Sequence, residues 1–229
     1  MRTIRILTSF FFLFLSISIS AQQELKFPLG DFKKVVVYDG IDLELIKSEF
    51  NEANIQCEGI DVAKISLEIS GSVLKIKANR PPFEKGIKIR AVINYTELEE
   101  VKANNQSTVI FQSPVYGDNF EITANTGSSI SLRSGLKILE VKAQYNSKIQ
   151  IEGGVQLLRA KCNTGSEINA QHLVCQEALL EAHTGGILHA RVEEMLNATA
   201  GTGAQIFYTG RPSKETVSSS FGGSVTREN

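Results

Sequence analysis

Residues 124–132 read ANTGSSISL, a short run of small and polar residues with one glycine and two aliphatics spaced two apart. Near copies surround it: ANNQSTVIF (103–111), AQYNSKIQI (143–151), CNTGSEINA (162–170), AHTGGILHA (182–190), AGTGAQIFY (200–208) and SFGGSVTRE (220–228). Successive starts lie 21, 19, 19, 20, 18 and 20 residues apart. Self-similarity at such a fixed period marks a solenoid, in which each repeat packs only on its neighbours.

Read in columns, the copies acquire physical roles. The first column holds Ala103, Ala124, Ala143, Cys162, Ala182, Ala200 and Ser220, small side chains suited to a crowded inner wall. The fourth holds Gln106, Gly127, Asn146, Gly165, Gly185, Gly203 and Gly223. Gly and Asn accept positive φ, so this column predicts a tight bend at every level. The fifth is small again, from Ser107 and Ser128 to Ala204 and Ser224. The seventh, Val109, Ile130, Ile149, Ile168, Leu188 and Ile206, predicts an apolar core stripe that Thr226 breaks in the last copy. In the second column, Asn104, Asn125, Gln144, Asn163 and His183 fit a hydrogen-bonded ladder along the bend better than a ligand-binding line, because they follow the bend and converge on no point.

SSISL, SKIQI and SEINA alternate with period two, and FEITA, LEVKA, LRAKC and LLEAH supply a second strand before each bend. Short strands with a bend about every twenty residues predict an all-β fold, a β-solenoid with about seven regular levels over 97–228, roughly 30 Å long at strand spacing. Outward columns alternate in sign: Glu100, Glu121, Glu140, Arg159, then Lys102, Thr123, Lys142, Lys161, Glu181. They read as a solvated face with cross-strand pairs.

Residues 27–96 lack the phrase but are rich in strands, with turn signals at Asp39-Gly40, Glu58-Gly59, Ser70-Gly71 and Arg80-Pro81-Pro82. Two arrangements fit: irregular first levels of the same solenoid, or an antiparallel lid over its end. Residues 22–229 are expected to form a single domain. Ahead of it, Arg2 and Arg5 precede the apolar run ILTSFFFLFLSISI and the small-residue exit SISAQQ. That pattern describes a secretory signal peptide over 1–21, cleaved after Ser20 or Ala21, rather than a membrane anchor. No second long apolar run follows, so the mature chain is not expected to span a membrane.

The 229 residues carry 24 basic and 25 acidic side chains, which gives no reason to expect a nucleic-acid partner. Cys57, Cys162 and Cys175 are an odd number in an oxidising compartment. Cys162 and Cys175 could pair, but Cys162 stands in a column of alanines, which favours buried thiols.

The succession GIDLELIKSE, GSVLKIKAN, repeated (A/C)NTGS phrases, TGAQIFYTGRP and a closing FGGSV resembles the head GIN domain of auto-transporter adhesins, a domain of unknown function in exported bacterial proteins. The resemblance spans about residues 30–226 and is most specific at GTGAQIFYTGRP; Gln106 departs from the usual Gly of the phrase. It implies a right-handed parallel β-helix and brings no catalytic residues with it.

Right-handed β-helices also include polysaccharide lyases and hydrolases, whose chemistry needs clustered carboxylates. Beyond residue 100 the only Asp is Asp118, and the glutamates fall mostly in charge-alternating columns. His172, His183 and His189 show no metal-ligand spacing, and no helix follows GTG or FGG to cradle a phosphate. No cofactor or metal is therefore expected. Among the aromatics, Phe111 and Tyr208 share a core column, whereas Tyr116 and Tyr145 lie near bends and are free to stack on a ligand. Tyr116, Tyr145, His183 and His189 are the candidate ligand contacts. The expected function is a non-enzymatic, adhesin-like module, exported to the periplasm, the outer surface or beyond, binding glycan or another cell-surface protein. A β-helical polysaccharide lyase or hydrolase is the competing expectation.

Overall fold

A computed structural model describes residues 23–79 and 86–228; the signal-peptide reading and the Arg80-Pro81-Pro82 break lie outside the described residues. Among those described there is no α-helix, only a 3-10 turn at Val62–Lys64 between strands. The chain is a β-solenoid of about seven turns.

Seventeen strands build it. The first nine are β1 (Gln23–Pro28), β2 (Lys34–Val37), β3 (Asp42–Lys47), β4 (Glu52–Glu58), β5 (Ile65–Ser70), β6 (Val73–Ala78), β7 (Lys88–Tyr95), β8 (Glu100–Ala103) and β9 (Thr108–Phe111). Then come β10 (Val115–Asn125), β11 (Ser129–Gln144), β12 (Lys148–Asn163), β13 (Glu167–His183) and β14 (Ile187–Gly201), each running from one bend almost to the next. β15 (Gln205–Thr209), β16 (Lys214–Ser220) and β17 (Ser224–Arg227) close the series. From β8 onward all pairing is parallel. Each level has three walls: one before the bend (Phe120–Ala124 in β10), one after it (Ser129–Leu132 in β11), and a third around Leu136, Val155, Cys175 and Val192. Register shifts between Gln150 and Glu152 and between Ala170 and Val174 fall between the second and third walls, where repeat length varies.

The columns stack as the repeat predicts. Ile130 pairs with Ile149, Ile149 with Ile168, Ile168 with Leu188, and Leu188 with Ile206. All are buried, as are the alanines and Cys162 of the first column. Burying each aliphatic contributes about 2 kcal/mol. The last copy corrects the sequence alignment by one residue. Ala200 pairs with Ser219 and Ile206 with Val225, so Val225 continues the stripe and Thr226 faces outward. Gly223 therefore stands in the small fifth column, where a Cβ would come within 2.5 Å of the Ala200 carbonyl.

The bend also holds more strain than the glycine column suggests. Two consecutive residues have positive φ at each level: Thr126 and Gly127 (53° and 71°), Tyr145 and Asn146, Thr164 and Gly165, Thr184 and Gly185, Thr202 and Gly203. A β-branched residue is disfavoured there. Backbone bonds between levels hold it in place, among them Gln106 N–H to Thr126 O at 2.9 Å and Asn146 N–H to Thr164 O at 3.0 Å. The amide ladder is realised where Asn125 Nδ2 donates to Asn104 Oδ1 at 3.2 Å.

Residues 27–96 combine the two arrangements that the sequence leaves open. β2 and β3 form another level, bent at Asp39-Gly40 and stacked directly on β8 and β9. β6 and β7 stack outside that level although they follow it in the chain. Antiparallel strands then cover the end: β5 on β6, β4 on β7, and β1 on β4. The three cysteines are buried and unpaired.

Candidate ligand-binding surface

The first wall presents its outward columns at strand spacing, in the register Lys34, Glu100, Glu121, Glu140, Arg159. A hollow of about 720 Å³ opens over this column; Glu99, Asp118, Asn119, Phe120 and Ile138 complete its lining. Carboxylates thus gather in a groove, an arrangement that a hydrolase would need and that the one-dimensional charge pattern conceals.

Nearly all of them are neutralised. Lys34 and Lys102 both bind Glu100, the former at 2.8 Å; Lys142 binds Glu121 at 2.7 Å, Lys137 binds Asp118 at 2.7 Å, and Lys33 binds Glu99 at 3.1 Å. Glu100 is 8 % exposed. Burial by itself would raise its carboxyl, but the hydrogen bonds from Lys102 and Lys34 outweigh that and hold it below the usual carboxylate range. A glycosidase acid must instead be held protonated. Among the described residues no three His, Cys, Asp or Glu side chains gather to hold a metal ion.

A second hollow, of about 300 Å³, shares Glu99 with the first and is lined also by Tyr95, Val115 and Tyr116. Tyr116 forms its rim, 76 % exposed, with its ring laid over Gly135, where a Cβ would come within 2.5 Å of two ring carbons.

The other three candidate contacts lie elsewhere. Tyr145 is exposed in the bend, and His183 is half-buried on the same edge two levels on, its ring close over Gly201. His189 is on the second wall, stacked on Phe207 with ring centroids 5.0 Å apart and planes 16° from parallel. The four residues do not converge. Phe111 and Tyr208 are core, as their column predicts. The charge pattern alone makes the hollow's own residues a solvated face. Their legible signal is the change of sign from Glu140 to Arg159 within one column.

A family model described as "Putative auto-transporter adhesin, head GIN domain" matches residues 31–212. A putative adhesin from Bacteroides fragilis has a similar structure, with TM-score 0.79 and 16 % identity, covering 91 % of this chain and 97 % of that one. A putative adhesin from Parabacteroides merdae gives 0.73 and 18 %, covering 91 % and 96 %. A protein from Parabacteroides distasonis described as a putative lipid binding protein gives 0.70 and 15 %, covering 91 % and 97 %. At these identities the likeness is one of fold. No curated protein matches the sequence. Among the described residues no helix is long and apolar enough to cross a membrane.

Proposed function

The chain belongs to the auto-transporter adhesin head GIN domain family, and from that membership we propose that it is an exported, non-enzymatic, adhesin-like module. It binds glycan or a cell-surface protein through the first wall of its β-helix. The observation that carries this reading is the hollow of about 720 Å³ between Lys34 and Arg159. Most of its carboxylates are ion-paired with lysines, an arrangement suited to reversible hydrogen bonding and poor for proton transfer. The floor is a sheet hydrogen-bonded on both edges, so little order has to be gained on binding. The N-terminal segment and the family support export. A glycan array, run beside a pull-down of surface proteins, tests the reading: saturable capture that weakens when the hollow is altered supports it, and no capture in either format counts against it.

A further inference from the structure

We infer that the first-wall hollow recognises the carboxylate of a single acidic sugar, of the sialic or uronic acid type, at the end of a glycan. The inference rests on the glycan arm of the reading above and adds the ligand class. It starts from the cations around the hollow. Lys33, Lys34, Lys102, Lys137 and Lys142 each reach a carboxylate, and on the adjoining column Lys161 reaches Glu181 at 3.0 Å. Arg159 lines the hollow, is exposed, and has no such partner among the described residues. One rung away Glu140, half-buried, likewise has no cation bound to it among the described residues. The column thus presents, beside Glu140, a guanidinium with no carboxylate bound to it, and then continues through Leu179, Asn197 and Thr216.

A guanidinium fork matches a carboxylate with two parallel N–H···O bonds. Glu140 accepts hydrogen bonds, as does the side-chain oxygen of the exposed Asn119 across the hollow, so hydroxyls fit beside the bound carboxylate. Ile138, half-buried, supplies apolar surface for the C–H face of a ring. From Lys34 to Arg159 the column runs four rung spacings, about 19 Å, enough for a chain of several sugars. Below Glu140 it presents Glu121 and Glu100, already paired with Lys142, Lys34 and Lys102, so no unpaired cation is left there for a second carboxylate. A polymer acidic at every unit is thus disfavoured, and one acidic unit followed by neutral ones fits. The same acceptors favour a ligand rich in hydroxyls over the carboxyl terminus of a peptide.

Calorimetric titration of the folded protein with 3′-sialyllactose, lactose, trigalacturonate and a short neutral peptide with a free C-terminus tests this. The expected result is sialyllactose bound at least tenfold more tightly than the other three. Arg159→Ala should erase the preference while leaving thermal unfolding unchanged, and Arg159→Lys should retain only part of it. Equal binding of lactose and sialyllactose, a preference that survives Arg159→Ala, or equally tight binding of the peptide would overturn the acidic-sugar assignment. In the first of these cases the wider glycan reading stands. Binding of none of the probes by a protein that still captures a surface protein would remove the glycan arm itself.

Discussion

The backbone N–H of Gly127 donates to the carbonyl of Tyr145 at 2.9 Å, tying one bend to the bend above it. Bonds of this kind recur at Gly165–Thr184, Gly185–Thr202 and Gly203–Phe221, so the corner is a ladder of main chain. The fourth-column position is held by Gly, Asn or Gln, whereas the position before it, also at positive φ, carries Asn, Thr, Tyr or Phe and is kept there by these main-chain bonds.

Gly185 separates strain from crowding, since a Cβ there would meet nothing within 4 Å while φ is 70°. Gly185→Val should destabilise by about 1–3 kcal/mol from backbone strain alone. Gly185→Asn should cost distinctly less, because Asn tolerates the left-handed region. Denaturant melts of the two variants check this; equal losses would contradict it.

The serines of the fifth column look alike in sequence but differ in bonding. Ser107 Oγ donates to the Asn104 carbonyl at 2.8 Å, whereas the buried Ser128 Oγ has no partner. Ser107→Ala should cost about 1 kcal/mol, and Ser128→Ala should be neutral or stabilising, since it removes a buried hydroxyl without a bond. Chemical unfolding midpoints would reveal the contrast.

Glu100 links the charged wall to pH. Its folded pKa lies below the ordinary value of 4.5, so its ion pairs add stability above that value which is lost as pH falls through the folded pKa. Glu100→Gln should therefore flatten the acid limb of a stability–pH curve, with the largest difference from wild type near neutral pH. Parallel curves for the two proteins would count against the pairing with Lys34 and Lys102.

Burial pushes the Cys162 thiol up to about 11 and the Cys175 thiol up to about 12. Neither forms appreciable thiolate at pH 8, so both should resist a thiol reagent in the folded protein and react on unfolding. Fast labelling of either in the native state would show that the levels around them open.

Much of this fold is legible in the residues because each level must satisfy the same geometry. A small first column, a glycine bend and an aliphatic seventh column leave a periodic trace at every level. The level at Lys34–Lys47 escapes detection because Val37 and Ile41 replace Ala and Ser at its inner positions. Its neighbour escapes because β6 and β7 stack out of chain order, a relation that periodicity cannot encode. The last copy slips because Gly222 and Gly223 adjoin, and only pairing tells which of them turns the corner. The hollow was hidden for a related reason. Glu100, Glu121 and Glu140 are about twenty residues apart in the chain and one rung apart in space, so their meeting with Arg159 exists only after stacking.

The most direct test of the central claim, reversible binding without chemistry at the first wall, is mass spectrometry of a captured glycan after prolonged incubation with the purified protein. The account predicts the glycan recovered intact, with capture weakened by Arg159→Ala. Cleaved or unsaturated product, abolished by Glu121→Gln or Glu140→Gln, would contradict it and make the hollow a catalytic groove.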